Sequence, residues 1–109
     1  MEIMYRIYCE DANRELTEWI LNAIIDSYSI IEVTGYYKGT KEKSIIIEVF
    51  NVAKRTVEII CQELATSLKQ ELVVFTECPV TVHNVYGTKA EVIPIKATRS
   101  ERAIPKVKT

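Results

Sequence analysis

The sequence predicts an α+β fold: a four-stranded antiparallel sheet with two helices on one face, ordered strand-helix-strand-strand-helix-strand. Three observations predict it. Two β-branched runs, residues 30–33 and 44–49, flank a glycine-marked, charged turn and read as a hairpin. Segments of helical period stand on either side of that hairpin. Shorter runs of strand character open the chain and follow the second helical segment.

Each element has its own local reason. Ile3, Tyr5, Ile7 and Cys9 alternate with Met4, Arg6, Tyr8 and Glu10, the period of a half-buried strand. Asp11 or Asn13 can then accept a backbone N–H and start a helix over about 12–28, whose apolar stripe is Leu16, Ile20, Ala23 and Ile24. Ile31, Val33, Gly35 and Tyr37 alternate with Glu32, Thr34 and Tyr36 in the second strand, and Lys38-Gly39-Thr40-Lys41 turns the chain. Ile45, Ile47 and Val49 line one face of the third strand, with Ile46 and Phe50 on the other. Asn51 is the expected cap of a second helix with the stripe Val57, Ile60, Cys61, Leu64 and Leu68. Residues 72–76 form a fourth strand that Cys78-Pro79 is expected to break.

Beyond it, residues 80–86 and 91–95 suggest an added C-terminal β-hairpin, with Pro94 confining the second limb to an edge. Lys96, Arg99, Arg102, Lys106 and Lys108 against Glu101 make a basic tail. The expected organisation is one domain over 1–96 and a tail over 97–109.

Right-handed crossovers put both helices on one side of the sheet and set the strand order 4-1-3-2, the ferredoxin-like fold. That fold hosts many unrelated functions. Its second face would carry Ile46, Phe50, Met4, Tyr8 and, from the fourth strand, Leu72 and Val74. An apolar face of this kind needs a cover, which predicts a homo-oligomer.

Composition excludes several classes. The chain has 109 residues, 48% hydrophobic and 27% charged, with a net charge of −1. A folded body is expected, with no global attraction to nucleic acid or an anionic membrane. Cys9, Cys61 and Cys78 lack any CxxC spacing, so no metal or redox motif is indicated. All three read as small core residues in a cytoplasmic, reducing setting. The opening Met1-Glu2-Ile3-Met4 lacks the basic and apolar regions of a signal peptide, so neither a signal peptide nor a membrane span is expected, and no cofactor motif is seen; GxxxxGK[ST] and GxGxxG are both absent. His83 is the sole histidine and has no nucleophile partner, so no enzyme is expected. The third strand lacks the stacking aromatics of an RNA-recognition motif and carries Glu48 instead. Gly35, inside a strand, suggests a bulge, or else the close approach of a backbone or ligand.

Two resemblances add to this. In topology, and in Ile31-Glu32-Val33-Thr34-Gly35-Tyr36, the chain resembles the PII-like group of trimeric nucleotide-sensing proteins. The segment 98–104 is similar to their basic C-terminal nucleotide contact. A tight turn replaces their long loop, and Ser67-Leu68-Lys69-Gln70-Glu71 replaces their glycine-rich phosphate loop. The hairpin Gly35-Tyr36-Tyr37-Lys38-Gly39, with Glu42, Ser44 and Glu48, is also similar to small proteins of bacteriophages and mobile elements. That likeness implies an accessory, anti-defence role.

The expected function is non-enzymatic binding of a small anionic ligand, a nucleotide foremost, between subunits of a homo-oligomer. The ligand-binding candidates are Tyr36, Tyr37, Lys38, Lys43, His83, Asn84, Arg99 and Arg102: aromatic rings to stack a base, cations to meet phosphate. Two rival readings are a protein–protein inhibitor or scaffold using the sheet edge or basic tail, and single-stranded nucleic-acid binding through the hairpin.

Overall fold

A computed structural model describes residues 2–87 of the chain. In order they form β1 (Glu2–Glu10), α1 (Arg14–Ile24), β2 (Ser29–Tyr37), β3 (Thr40–Phe50), α2 (Lys54–Ser67) and β4 (Val74–Val80). The sheet runs β2-β3-β1-β4 with every neighbouring pair antiparallel. Read from the other edge this is 4-1-3-2, the ferredoxin-like order that the sequence predicts.

Strand alternation decides where the core lies. Tyr5, Ile7 and Cys9 of β1 pair with Val49, Ile47 and Ile45 of β3, so their side chains share one face. All six are buried, beneath Ile20 and Leu21 of α1 and Val57, Ile60, Cys61 and Leu64 of α2. Burying each of the large aliphatic side chains contributes about 1.5–3 kcal/mol. Among the described residues Thr17 is the buried polar one, and its hydroxyl donates to the carbonyl of Asn13 at 3.0 Å.

Of the two caps offered for the first helix the structure uses Asn13, while the end of that helix and the cap of the second depart from the sequence reading for local reasons. Asn13 caps α1: its backbone is extended and its Oδ1 accepts from the Leu16 amide at 3.0 Å. Asp11 instead takes a two-pronged hydrogen bond from Arg14, at 3.0 and 2.8 Å. The helix stops at Ile24, short of Tyr28, because Ile25 turns extended and buries its side chain. Tyr28 then folds back, its hydroxyl donating to Asn22 Oδ1 at 2.8 Å. Asn51 does not cap α2. It makes the left-handed turn after β3 (φ +62°), a conformation asparagine tolerates, and Ala53 sits at the N-cap with no side-chain bond.

The fourth strand corrects the sequence reading twice. It runs through Cys78 and Pro79, with Pro79 opposite Ile3. Proline is tolerated there because β4 is an edge strand. The strand expected over 80–86 does not form: Val80 pairs with Glu2, β1 offers no described partner beyond it, and residues 81–87 have no regular structure. The other limb of that hairpin, 91–95, and the basic tail lie outside the described residues.

Away from the helices, the sheet's second face is apolar. Phe50 and Val74 are exposed and Met4, Tyr8 and Ile46 half-buried there, joined by Ile31 and Val33 of β2. Leu72 is exposed just before β4. An Arg6–Glu48 ion pair at 2.8 Å crosses the middle of this face.

Candidate functional site

The β2–β3 hairpin builds one wall of a cleft. Its two turn residues, Lys38 (φ +50°) and Gly39 (φ +80°), both adopt left-handed backbone, the type I′ pattern that matches strand twist. The pairing is unbroken from Ser29–Glu48 to Tyr37–Thr40, so Gly35 marks no bulge. Close approach explains it. A Cβ on Gly35 would lie 2.5 Å from Ser44 Oγ and 3.2 Å from Ser44 Cβ. Glycine here leaves room for the Ser44 hydroxyl.

The opposite wall is the loop after α2. Lys69 takes left-handed backbone (φ +56°), where glycine is usual. The Lys69 amide donates to the Thr66 carbonyl at 3.3 Å and the Gln70 amide to Ala65 at 2.9 Å. This is a Schellman end, which satisfies the last carbonyls of α2. The Gln70 side chain then clasps the backbone of Glu10. Its Oε1 accepts from the Glu10 N–H at 3.1 Å, and its Nε2 donates to the Glu10 carbonyl at 2.9 Å. That side chain prolongs the β1–β4 ladder, whose last pair is Tyr8–Val74.

Between hairpin and loop lies a cleft of about 560 Å³. Tyr36, Tyr37, Glu42 and Ser44 line it from the hairpin; Tyr8 and Glu10 line it from β1. The loop adds residues 69–72, Lys69 and Glu71 among them. The Tyr37 hydroxyl donates to Glu71 Oε1 at 2.8 Å, and Lys38 Nζ reaches the same oxygen at 3.4 Å. That bond to Glu71 pushes the Tyr37 phenol up from its ordinary value, so it stays a donor. Lys38 also sits 5.3 Å from the centre of the Tyr37 ring.

Of the residues expected to bind a ligand, the structure brings together Tyr36, Tyr37 and, at the rim, Lys38. Lys43 belongs elsewhere. It pairs with Thr34, and its carbonyl accepts the Asp11 amide at 2.9 Å. There the Arg14 hydrogen bonds hold the Asp11 carboxyl below the usual range, with a smaller contribution from Lys43. Arg14 also binds Glu32 at 3.0 Å. His83 and Asn84 do not border the hairpin cleft. Asn84 lines a second cleft, of about 570 Å³, with Tyr28, Phe50 and Asn51; His83 is exposed. Arg99 and Arg102 lie outside the described residues.

The sequence reading missed Tyr8, Glu10, Glu42, Ser44 and Lys69 to Leu72 as cleft residues. A faint sign was available: 67–71 fills the place of a phosphate loop in the PII-like resemblance. Cys9 and Cys61 are buried as expected, and burial pushes both thiols up to about 11. Cys78 is exposed, contrary to expectation, because its strand is at the edge. Among the described residues no cluster of His, Cys, Asp and Glu could hold a metal ion. No helix there is long and apolar enough to cross a membrane.

No protein-family model matches the chain, and neither does any curated protein. Solved structures do match. A DUF3240 family protein from Shewanella baltica is similar over 79% of this chain and 97% of its own, with TM-score 0.59 and 11% identity. CPII from Thiomonas intermedia, a nitrogen regulatory PII-like protein solved with ADP, AMP and bicarbonate, is similar over 78% and 96%, with TM-score 0.58 and 16% identity. A phage SAM lyase in its apo state is similar over 70% and 78%, with TM-score 0.58 and 19% identity. At these identities the likeness shows the fold: a ferredoxin-like arrangement shared with PII-like proteins and with a phage protein.

Proposed function

We propose that this chain is a non-enzymatic, homo-oligomeric protein of a reducing cytosol that binds a small adenosine-containing molecule in the hairpin cleft. One observation carries the reading. Three tyrosines, Tyr8, Tyr36 and Tyr37, line a cleft whose loop wall is fixed by the paired hydrogen bonds of Gln70. Its volume, about 560 Å³, is in the range of small-molecule sites. An aromatic ring stacked on a base contributes about 1–3 kcal/mol. ADP, AMP and SAM, the compounds named with two of the similar proteins, have adenosine in common. A nucleotide is one such ligand, and sequestering it would suit an anti-defence role in a phage.

Ligand binding is tested by thermal shift with adenosine, AMP, ADP and SAM on the wild type and on Tyr37→Ala. At a hundred times Kd a ligand stabilises by about 2.7 kcal/mol. Stabilisation that Tyr37→Ala abolishes supports the cleft; no shift from any of the four at millimolar concentration refutes it.

The apolar open face supports the oligomer. Ile46 stands there between its pairing partners Ile31 and Tyr8, outside the core. Ile46→Asp is expected to yield folded monomers in sedimentation. A wild type that sediments as a monomer refutes the assembly.

A second reading, catalysis, is favoured by the Glu10 and Glu42 carboxylates and the Ser44 hydroxyl lining the same cleft. A SAM lyase of this fold supports it. Incubation with SAM followed by mass spectrometry separates the two: intact SAM favours binding alone, and consumption favours an enzyme.

A further inference from the structure

We infer that the hairpin cleft selects an adenosine compound whose group attached at the ribose C5′ is positively charged, a sulfonium or an ammonium, over one bearing phosphates there. This rests on the cleft being a ligand site and names the class of ligand it takes.

The first ground is the fate of the backbone donors. A phosphate is ordinarily cradled by free N–H groups of a loop or helix start. Here four of the nearby amides are already engaged. The Leu68, Lys69 and Gln70 amides donate back into α2, to Leu64, Thr66 and Ala65. The Glu10 amide donates to Gln70. These groups therefore offer a phosphate nothing.

The second ground is charge. Glu10, Glu42 and Glu71 line the cleft, against Lys69 from within and Lys38 at the rim. Glu71 already has Lys38 and the Tyr37 hydroxyl as partners. Among the described residues Glu10, Glu42 and Lys69 form no ion pair, which leaves the lining acidic.

The third ground is the tyrosine rings. Aromatic faces carry negative potential and attract cations. The protein already uses this, with Lys38 Nζ lying over the Tyr37 ring. A sulfonium between such a ring and Glu42 would be stabilised by both, whereas a phosphate would be repelled by both.

The test is calorimetric titration of the full chain with SAM, its neutral thioether SAH, sinefungin (whose amine replaces the sulfonium) and ADP. SAM and sinefungin should bind at least about tenfold more tightly than SAH, within the range of a cation–π contact joined by a carboxylate. ADP should bind most weakly. Glu42→Gln should narrow the gap between sinefungin and SAH, and Glu10→Gln serves the same purpose should Glu42→Gln not fold. ADP binding as tightly as sinefungin overturns the charge selection and leaves the adenosine cleft standing. Failure of all four compounds to bind overturns both.

Discussion

Gly35 and Ser44 offer a direct test of how the cleft is built. Gly35→Ala places a methyl 2.5 Å from Ser44 Oγ and 3.2 Å from Ser44 Cβ. The backbone itself does not object, since Gly39 is the glycine with positive φ. Taken alone, replacing glycine by alanine at a compatible position stabilises by about 0.4–1 kcal/mol, through the unfolded chain. Overpacking costs about 1–3 kcal/mol. Ser44 Oγ can rotate away, but Ser44 Cβ moves only with the strand. The expected balance is a loss of roughly 1–2 kcal/mol, from the difference of those two effects. In a domain of this size each kcal/mol lowers Tm by about 4–8 °C. Ser44→Gly removes both crowding atoms, so in that background Gly35→Ala should become stabilising. Thermal and urea unfolding of the four proteins in this cycle gives the coupling, expected at about 1–3 kcal/mol for touching residues. An alanine that costs the same in both backgrounds would refute the close-approach account.

Four other outcomes follow from the packing and the titrating groups. Ile47 is fully buried, so Ile47→Ala should lose about 2–5 kcal/mol in urea denaturation, whereas Ile46→Ala on the open face of the isolated subunit should lose much less. Gln70→Glu keeps an acceptor for the Glu10 amide but sets an oxygen against the Glu10 carbonyl at the 2.9 Å contact; about 1–2 kcal/mol should be lost, and unchanged stability would show that the clasp holds nothing. At pH 8 one thiol, Cys78, should react readily with a thiol reagent, while Cys9 and Cys61 wait for unfolding. Burial raises both of these to about 11 from an ordinary 9.0, so their contribution is full below pH 9 and is lost as pH rises toward 11. The alkaline fall in urea midpoint should therefore be shallower in Cys61→Ala than in the wild type.

Whatever depends on neighbours in the chain could be read from the chain. The period of two over residues 45–49 set the inward face of β3, because successive side chains of a strand must alternate. Asn13 announced the start of α1, and Lys38-Gly39 the tight turn, since caps and turns are made by residues a few positions apart. Six elements in that order, with right-handed crossovers, then left one strand order.

Tertiary structure decided the rest, because it rests on partners far apart in sequence. Pro79 looks like a breaker until β4 is seen to lie at the edge, where a missing donor costs little. Residues 80–86 alternate well but have no described strand to pair with beyond Glu2. Lys43 looked like a ligand for phosphate, and the fold places it instead beside Asp11. The cleft itself needed Tyr37 and Glu71 to meet at 2.8 Å across 34 residues of chain, and Gln70 to reach Glu10 across 60. Periodicity records which way a side chain faces. It holds no record of what will stand opposite, and that is why the strands were legible and the site was not.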